Sequence, residues 1–263
     1  MGQGTAGIGE DQFKRRAEIN AICYGLDLGL SVIDTAELYA DGNAEMLVGT
    51  AIRNRRSEVY LVSKVIPKHA DYKGTKEACQ RSLKRLKTDF LDLYLLHWRG
   101  DFPLSETLSA FQALKKEGAI LDYGISNFSL AATKMAVGLS GGEQIVTNQV
   151  LYNLHNRNIE LDLMPWCEIQ KIPLMAYSPF GQSPEEQRSM FVHPEINAIA
   201  SEHKITVAQV ILAWLICQKV VVIPKASNRL HIKDNHESLN VVLTENDLKR
   251  IDKSFPRVGQ NKA

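Results

Sequence analysis

Seven short apolar runs punctuate the chain, at 31–34, 59–64, 91–97, 120–127, 145–149, 172–178 and 220–225, and amphipathic helical stretches fill the spaces between them. Such alternation is the signature of a parallel sheet, because each parallel strand needs a crossover, usually a helix, to return the chain to the same edge. A (β/α)8 barrel takes about 250 residues, and the chain has 263. A closed barrel wants an eighth strand, and only the segment around residues 2–5 is left to supply it. The expected fold is therefore α/β, a (β/α)8 TIM barrel with a short or truncated N-terminal strand. No linker rich in Pro, Gly or Ser interrupts the sequence, so 1–263 reads as a single domain.

Helix signals agree with that plan. One stripe runs from about residue 11 to 28 and stops near Gly29, and a second covers 43–53. A third starts near Ser105, carries Leu108, Phe111 and Leu114 on one face and stops at Gly118. Thr206 and Gln209 make a capping box ahead of Val207, Val210, Ile211 and Trp214. The segment 180–194 follows a strand without a helical stripe, as expected of a long loop at a barrel mouth, either covering a ligand or disordered.

Charge and cysteine usage narrow the function classes. A net charge of +1 with 44% apolar and 23% charged residues suits a globular protein and offers no polyanion or anionic membrane a reason to bind. The basic run Arg81, Lys84, Arg85 and Lys87 overlies Cys79, Leu83, Leu86 and Phe90 at helical spacing, so it reads as a solvated helix face rather than a nucleic-acid patch. Cys23, Cys79, Cys167 and Cys217 are far apart, and Cys23, Cys79 and Cys217 sit among apolar residues as reduced core thiols do. With no bilayer-length apolar stretch and no signal-like N-terminus, the expected location is cytoplasmic. The seven His residues show no ligand spacing, so no metal is expected. Nothing in the sequence sets the oligomeric state.

Polar residues end three of the apolar runs: Asp34, Lys64 and His97, with Tyr39 five positions beyond Asp34. Strand ends of a barrel converge on one mouth, where active sites sit. A Tyr beside a Lys, an Asp and a His makes a proton donor of tunable acidity, so acid–base chemistry is the first functional hypothesis. The match Gly2-x-Gly4-x-x-Gly7 imitates a dinucleotide fingerprint, but that motif needs a preceding strand, and no residues are left before it to form one.

The segment Asp34-Thr35-Ala36-Glu37-Leu38-Tyr39 with Glu45 resembles the D-T-A-x-x-Y-x-x-x-x-x-E motif of the aldo-keto reductase superfamily. The likeness continues through Leu61-Val62-Ser63-Lys64, Leu91 to Trp98, Gly124 to Phe128, Asn148-Gln149, Ala176 to Pro179 and Ile223-Pro224-Lys225, in family order. Within the family, the chain looks most like small bacterial methylglyoxal and aldehyde reductases. The resemblance implies a barrel that binds NADPH without a Rossmann domain, with NADH as an alternative, and that reduces a small carbonyl substrate. Tyr39 would be the general acid, Lys64 would lower its pKa, Asp34 would hold Lys64, and His97 would orient the substrate oxygen. Ser126, Asn127 and Gln149 match carboxamide-binding residues, and Tyr177 matches the aromatic that stacks on the nicotinamide. Gly4, Thr5 and Asp34 would lie beside that ring. Ser178, Pro179, Phe180, Lys225, Ala226 and Ser227 would approach the phosphates, and Asp234 and Asn235 the adenine. His97, Trp98 and Phe128 would wall the substrate pocket. The family also contains redox-sensing or regulatory subunits with negligible turnover, which the intact tetrad argues against.

Two departures stand out. Ala6 replaces a common aromatic, opening one side of the pocket. His231 replaces an Arg that grips the 2′-phosphate, so the preference for NADPH over NADH should be smaller and should strengthen as pH falls, since imidazole charges only toward pH 6.5. Arg229, two positions earlier, could supply the missing charge and make the preference flat with pH.

Overall fold

The computed structural model describes residues 1–257. From the N-terminus come β1 (Gly2–Gly4), α1 (Arg15–Asp27), β2 (Val32–Asp34), α2 (Asn43–Ala51), β3 (Tyr60–Val65), α3 (Tyr72–Leu86) and β4 (Leu91–Leu96). Next are α4 (Leu104–Lys116), β5 (Ile120–Ser126), α5 (Leu130–Val137), β6 (Ile145–Leu151), α6 (Leu163–Gln170) and β7 (Leu174–Tyr177). The chain continues with α7 (Pro184–Phe191), α8 (Pro194–His203), α9 (Val207–Cys217), β8 (Val221–Ile223), α10 (Arg229–Glu237) and α11 (Glu245–Ser254).

All eight strands are parallel and lie in sequence order, β1 through β8. A bridge between Gly4 and Lys225, with the Gly4 N–H donating to Pro224 O at 2.9 Å, joins the last strand to the first. This order is that of the (β/α)8 barrel and excludes a doubly wound nucleotide-binding sheet. The first strand has three residues, short as expected. Its glycines follow from the tightness of the seam: a Cβ at Gly2 would fall 2.7 Å from Ile223 Cδ1.

Period-two alternation sorts each strand into an inner and an outer face. Val32, Val62, Leu93, Leu95, Met175 and Ile223 meet in one apolar cluster that fills the barrel. Ile33, Leu61, Val65, Tyr94 and Leu96 face the other way, into the larger layer beneath the helices. The same parity therefore aims Asp34, Lys64 and His97 inward, each two residues beyond an interior apolar side chain.

Several sequence expectations shift in detail. The first helix begins at Arg15 rather than near 11, and the second ends at Ala51. The segment 180–194 is no loop: Ser183 accepts from the Glu186 N–H at 3.1 Å, Pro184 takes the first helical position, and α7 follows. Its stripe is missing because only Met190 in this helix is fully buried, while Phe191 is half-buried against Phe180. Phe90 lies beyond α3, with Arg56 stacked 4.1 Å over its ring. Cys217 is exposed, so an apolar neighbourhood in sequence did not make it a core thiol; Cys79 and Cys167 are the buried ones. The Thr206–Gln209 capping box forms as expected.

Candidate active site

Lys64 is fully buried at the end of β3, and its ammonium donates to Asp34 Oδ2 at 2.7 Å and to Thr35 O at 2.9 Å. The second Asp34 oxygen accepts from Gln149 Nε2 at 2.7 Å, reaching across the barrel from β6. Both carboxylate oxygens are thus occupied, as a buried charge requires. Tyr39 rides on the short 3-10 turn Tyr39–Gly42, where Ala40 and Asp41 adopt left-handed φ values of 48° and 51°. Such conformations cost about 1 kcal/mol or more each, and here they turn the chain back after placing the phenol ring 5.1 Å from the Lys64 nitrogen. His97 stands edge-on to Tyr39, with ring centroids 5.7 Å apart, and Trp98 leans on His97 at 4.7 Å. The structure brings together all four residues singled out by the sequence.

The electrostatics correct one expectation. Burial pushes the Tyr39 phenol above its usual value and outweighs the pull of the Lys64 ammonium in the opposite direction. The Asp34 carboxylate adds a smaller push in the same direction as burial. Burial also works against the Lys64 ammonium, but Asp34 and Tyr39 prevail and hold its pKa up. His97 is driven down to about 3 by burial and by the Lys64 charge, so it is a neutral imidazole at physiological pH. Its Nδ1 is buried without a partner. The site therefore offers a protonated phenol, a fixed cation beneath it and an uncharged imidazole beside it.

A second set of polar groups lines the ends of β5, β6 and β7. Ser126 Oγ donates to Gln149 O at 2.9 Å. Asn127, at φ 63°, donates through Nδ2 to His97 O at 3.0 Å and accepts the Tyr177 hydroxyl at 2.7 Å. Ser178 also takes a left-handed φ of 50°, and its carbonyl accepts from Asn153 Nδ2 at 3.0 Å. The hydroxyl and N–H of Thr5 both donate to Asp34 O at 3.0 Å, which ties Gly4 and Thr5 to the end of β2.

The far end of this groove is a cavity of about 330 Å³ lined by Phe180, Lys225, His231, Asp234 and Asn235, together with residues from α7 and the start of α9. Gln187, Phe191, Thr206, Val207 and Ala208 belong to this lining and were missed in the sequence. The capping box at Thr206 announced a helix start there, and only the unread course of α7 concealed that this start faces a groove. Pro179 follows Ser178 on the way to α7, whereas Ala226 and Ser227 sit between β8 and α10 outside the lining. Ala226 instead packs against the cluster around Ala21, Leu30 and Ile232. Arg229 turns away as well, with its guanidinium 4.2 Å over the ring of Tyr24 on α1. Phe128 does not wall a substrate pocket: it is 2% exposed and packs in the core beneath the helices, because it points outward after β5. Trp98 is 39% exposed at the mouth, where a wall residue belongs. A groove of about 460 Å³ at the opposite end of the barrel, by the start of β7, holds none of these strand-end groups.

A parallel eight-stranded barrel with a Tyr, a buried Lys–Asp pair and a neutral His at its mouth is a TIM barrel whose mouth is equipped for acid–base chemistry. The chain belongs to the aldo/keto reductase family, whose model matches residues 1–255. It is 46% identical over 257 residues to methylglyoxal reductase YeaE of Escherichia coli K12, covering 97% of this chain and 90% of that protein. It is 34% identical over 238 residues to a glyoxal reductase of Bacillus subtilis, covering 89% and 82% of the two chains. An aldo/keto reductase from Klebsiella pneumoniae, crystallised with NADP and acetate, superposes with a TM-score of 0.96 at 45% identity, covering 98% of this chain and 92% of that one.

Proposed function

We propose that the chain is an NADPH-dependent reductase of small aldehydes and ketones of the methylglyoxal kind, acting as a single barrel domain with Tyr39 as proton donor. The observation that carries this reading is the buried Lys64–Asp34 pair set under Tyr39 beside a neutral His97. The residues present suit the cofactor. Gln149 spends its N–H on Asp34, so its amide oxygen is the group left to accept from a carboxamide, and Tyr177 offers a half-exposed ring at a strand end. The cavity beyond combines a cation, an imidazole and an asparagine, a donor set suited to a phosphorylated ribose and a base. Four unpaired cysteines support a cytoplasmic location, and the near-zero charge supports neither nucleic acid nor membrane as a partner.

When bound, NADPH supplies the hydride that reaches the carbonyl carbon. Tyr39 transfers its proton to the carbonyl oxygen, so that an alcohol forms and a phenolate remains. Lys64 lowers the cost of that phenolate through its fixed charge, and Asp34 keeps the ammonium in place. His97, being uncharged, serves as a hydrogen-bond donor to the same oxygen without competing as an acid. Trp98 flanks the substrate. Single-turnover oxidation of bound NADPH by methylglyoxal tests the reading: rapid loss of the reduced-nicotinamide absorbance is expected, and negligible turnover would leave a redox-sensing role instead.

A further inference from the structure

We propose that Asn228 fixes the position of the single proton on His231 and thereby sets how the chain tells NADPH from NADH, an inference that rests on the NADPH reading above. Asn228 is the N-cap of α10, in extended backbone, and its Oδ1 accepts the His231 N–H at 2.9 Å. That bond decides which end of the amide is which. With the oxygen committed to the backbone, the group 3.0 Å from His231 Nδ1 is the amide nitrogen. An amide nitrogen only donates, so Nδ1 must accept, and the proton of the neutral ring sits on Nε2. A charged imidazolium would place an N–H against an N–H, or would force the amide to flip and give up the cap.

The ring therefore presents one neutral donor. It lines the cavity with Lys225 from the end of β8 and Asp234 one turn further along α10, and these are the other charged groups among the lining residues. The linings from α7 and α9 are uncharged, and Arg229 is occupied over Tyr24. Discrimination against NADH thus falls to the Lys225 charge plus the His231 Nε2–H. Moving the proton to Nδ1 would turn a lone pair toward the ligand and remove that donor.

The direct test is nitrogen NMR of the uniformly labelled full chain without cofactor at pH 8, with His231 assigned by its loss in His231→Gln. A protonated Nε2 and an unprotonated Nδ1 are expected, reversed in Asn228→Asp, whose carboxylate only accepts. A tautomer mixture, or a protonated Nδ1 in the wild type, overturns the proposal. Fluorescence titrations with NADPH and NADH at pH 8 then compare the wild type with Asn228→Asp, which keeps a good cap and moves the ring proton to Nδ1. The NADPH-to-NADH affinity ratio should fall about three- to tenfold in the variant; an unchanged ratio also overturns it. Failure of the underlying reading looks different: NADPH would neither bind nor move the His231 resonances, with the tautomer still as expected.

Discussion

Around Lys64, each charge is matched within hydrogen-bonding distance and shut away from water, whereas around Lys225 the polar groups stand open to solvent. Lys64 and Asp34 are 0% and 3% exposed; Lys225, Asn228 and His231 are all exposed. The chemical end of the mouth is finished before any ligand arrives, and its parts hold one another. At the cavity end, Lys225 and the linked pair Asn228 and His231 stand exposed on a strand end and a helix start. The contrast teaches where substitution is tolerated. Removing one member of a buried pair strands the other, but removing an exposed side chain costs only its own contacts to the ligand.

The largest effect expected at the finished end is kinetic. Tyr39→Phe deletes the proton donor and almost no volume, so kcat should fall by about 10²–10⁴-fold while NADPH affinity and melting temperature stay near the wild-type values. Retained turnover would remove Tyr39 from the mechanism and the chemical end from the comparison. Next comes Lys64→Met, which leaves Asp34 charged and buried; denaturant unfolding should show a loss of about 3–5 kcal/mol. The double variant Lys64→Met, Asp34→Asn should recover part of it. A single variant as stable as the wild type would mean that the pair is not interlocked.

At the open end, Lys225→Ala should weaken NADPH binding by about ten- to a hundredfold, the worth of one charge-assisted contact. NADH affinity should hold, and stability should shift by no more than about 0.5 kcal/mol. Arg229→Ala, with its guanidinium on Tyr24, should change the same ratio by less than about threefold. A larger change would show that the stack opens to engage the phosphate.

A dependence on pH probes the finished end alone. His97 is held near 3, and a free imidazole titrates near 6.5, so between those values the unfolded chain binds a proton that the folded chain refuses. The stability His97 contributes is complete above pH 6.5 and drains away as pH falls toward 3. His97→Asn should therefore lose less stability than the wild type between pH 7 and 4 in chemical denaturation. Identical slopes would place His97 in a wetter setting than its burial implies.

Three of the four residues proposed for catalysis stood out because each ends an apolar run, and strand parity does the rest: Asp34, Lys64 and His97 follow Val32, Val62 and Leu95 on the inner face. Three things were not legible, each for a physical reason. Phe128 turns outward because it lies beyond the last inward position of β5, and no pattern in the sequence marks where a strand stops dictating direction. Helix α7 has good start signals in Ser183, Pro184 and Glu186 but too little buried surface to print a stripe. The net direction of the Tyr39 pKa depends on how deeply the phenol is buried against the opposing pull of Lys64, which is a matter of ångströms rather than residue types.

The join between the first and last strands has a further consequence. One bridge at Gly4 and Lys225 completes the ring of main-chain bonds, while Thr5 next to it is tied to Asp34 and Lys225 lines the cavity at the groove's far end. A hoop fastened at a single point opens there first, so the amides of β1 and β8 should be the quickest among the strands to exchange with heavy water. A cofactor lying across that fastening would act as its clasp, and the slowing of exchange at Gly4 would then report, at one backbone amide, how fully the barrel is occupied.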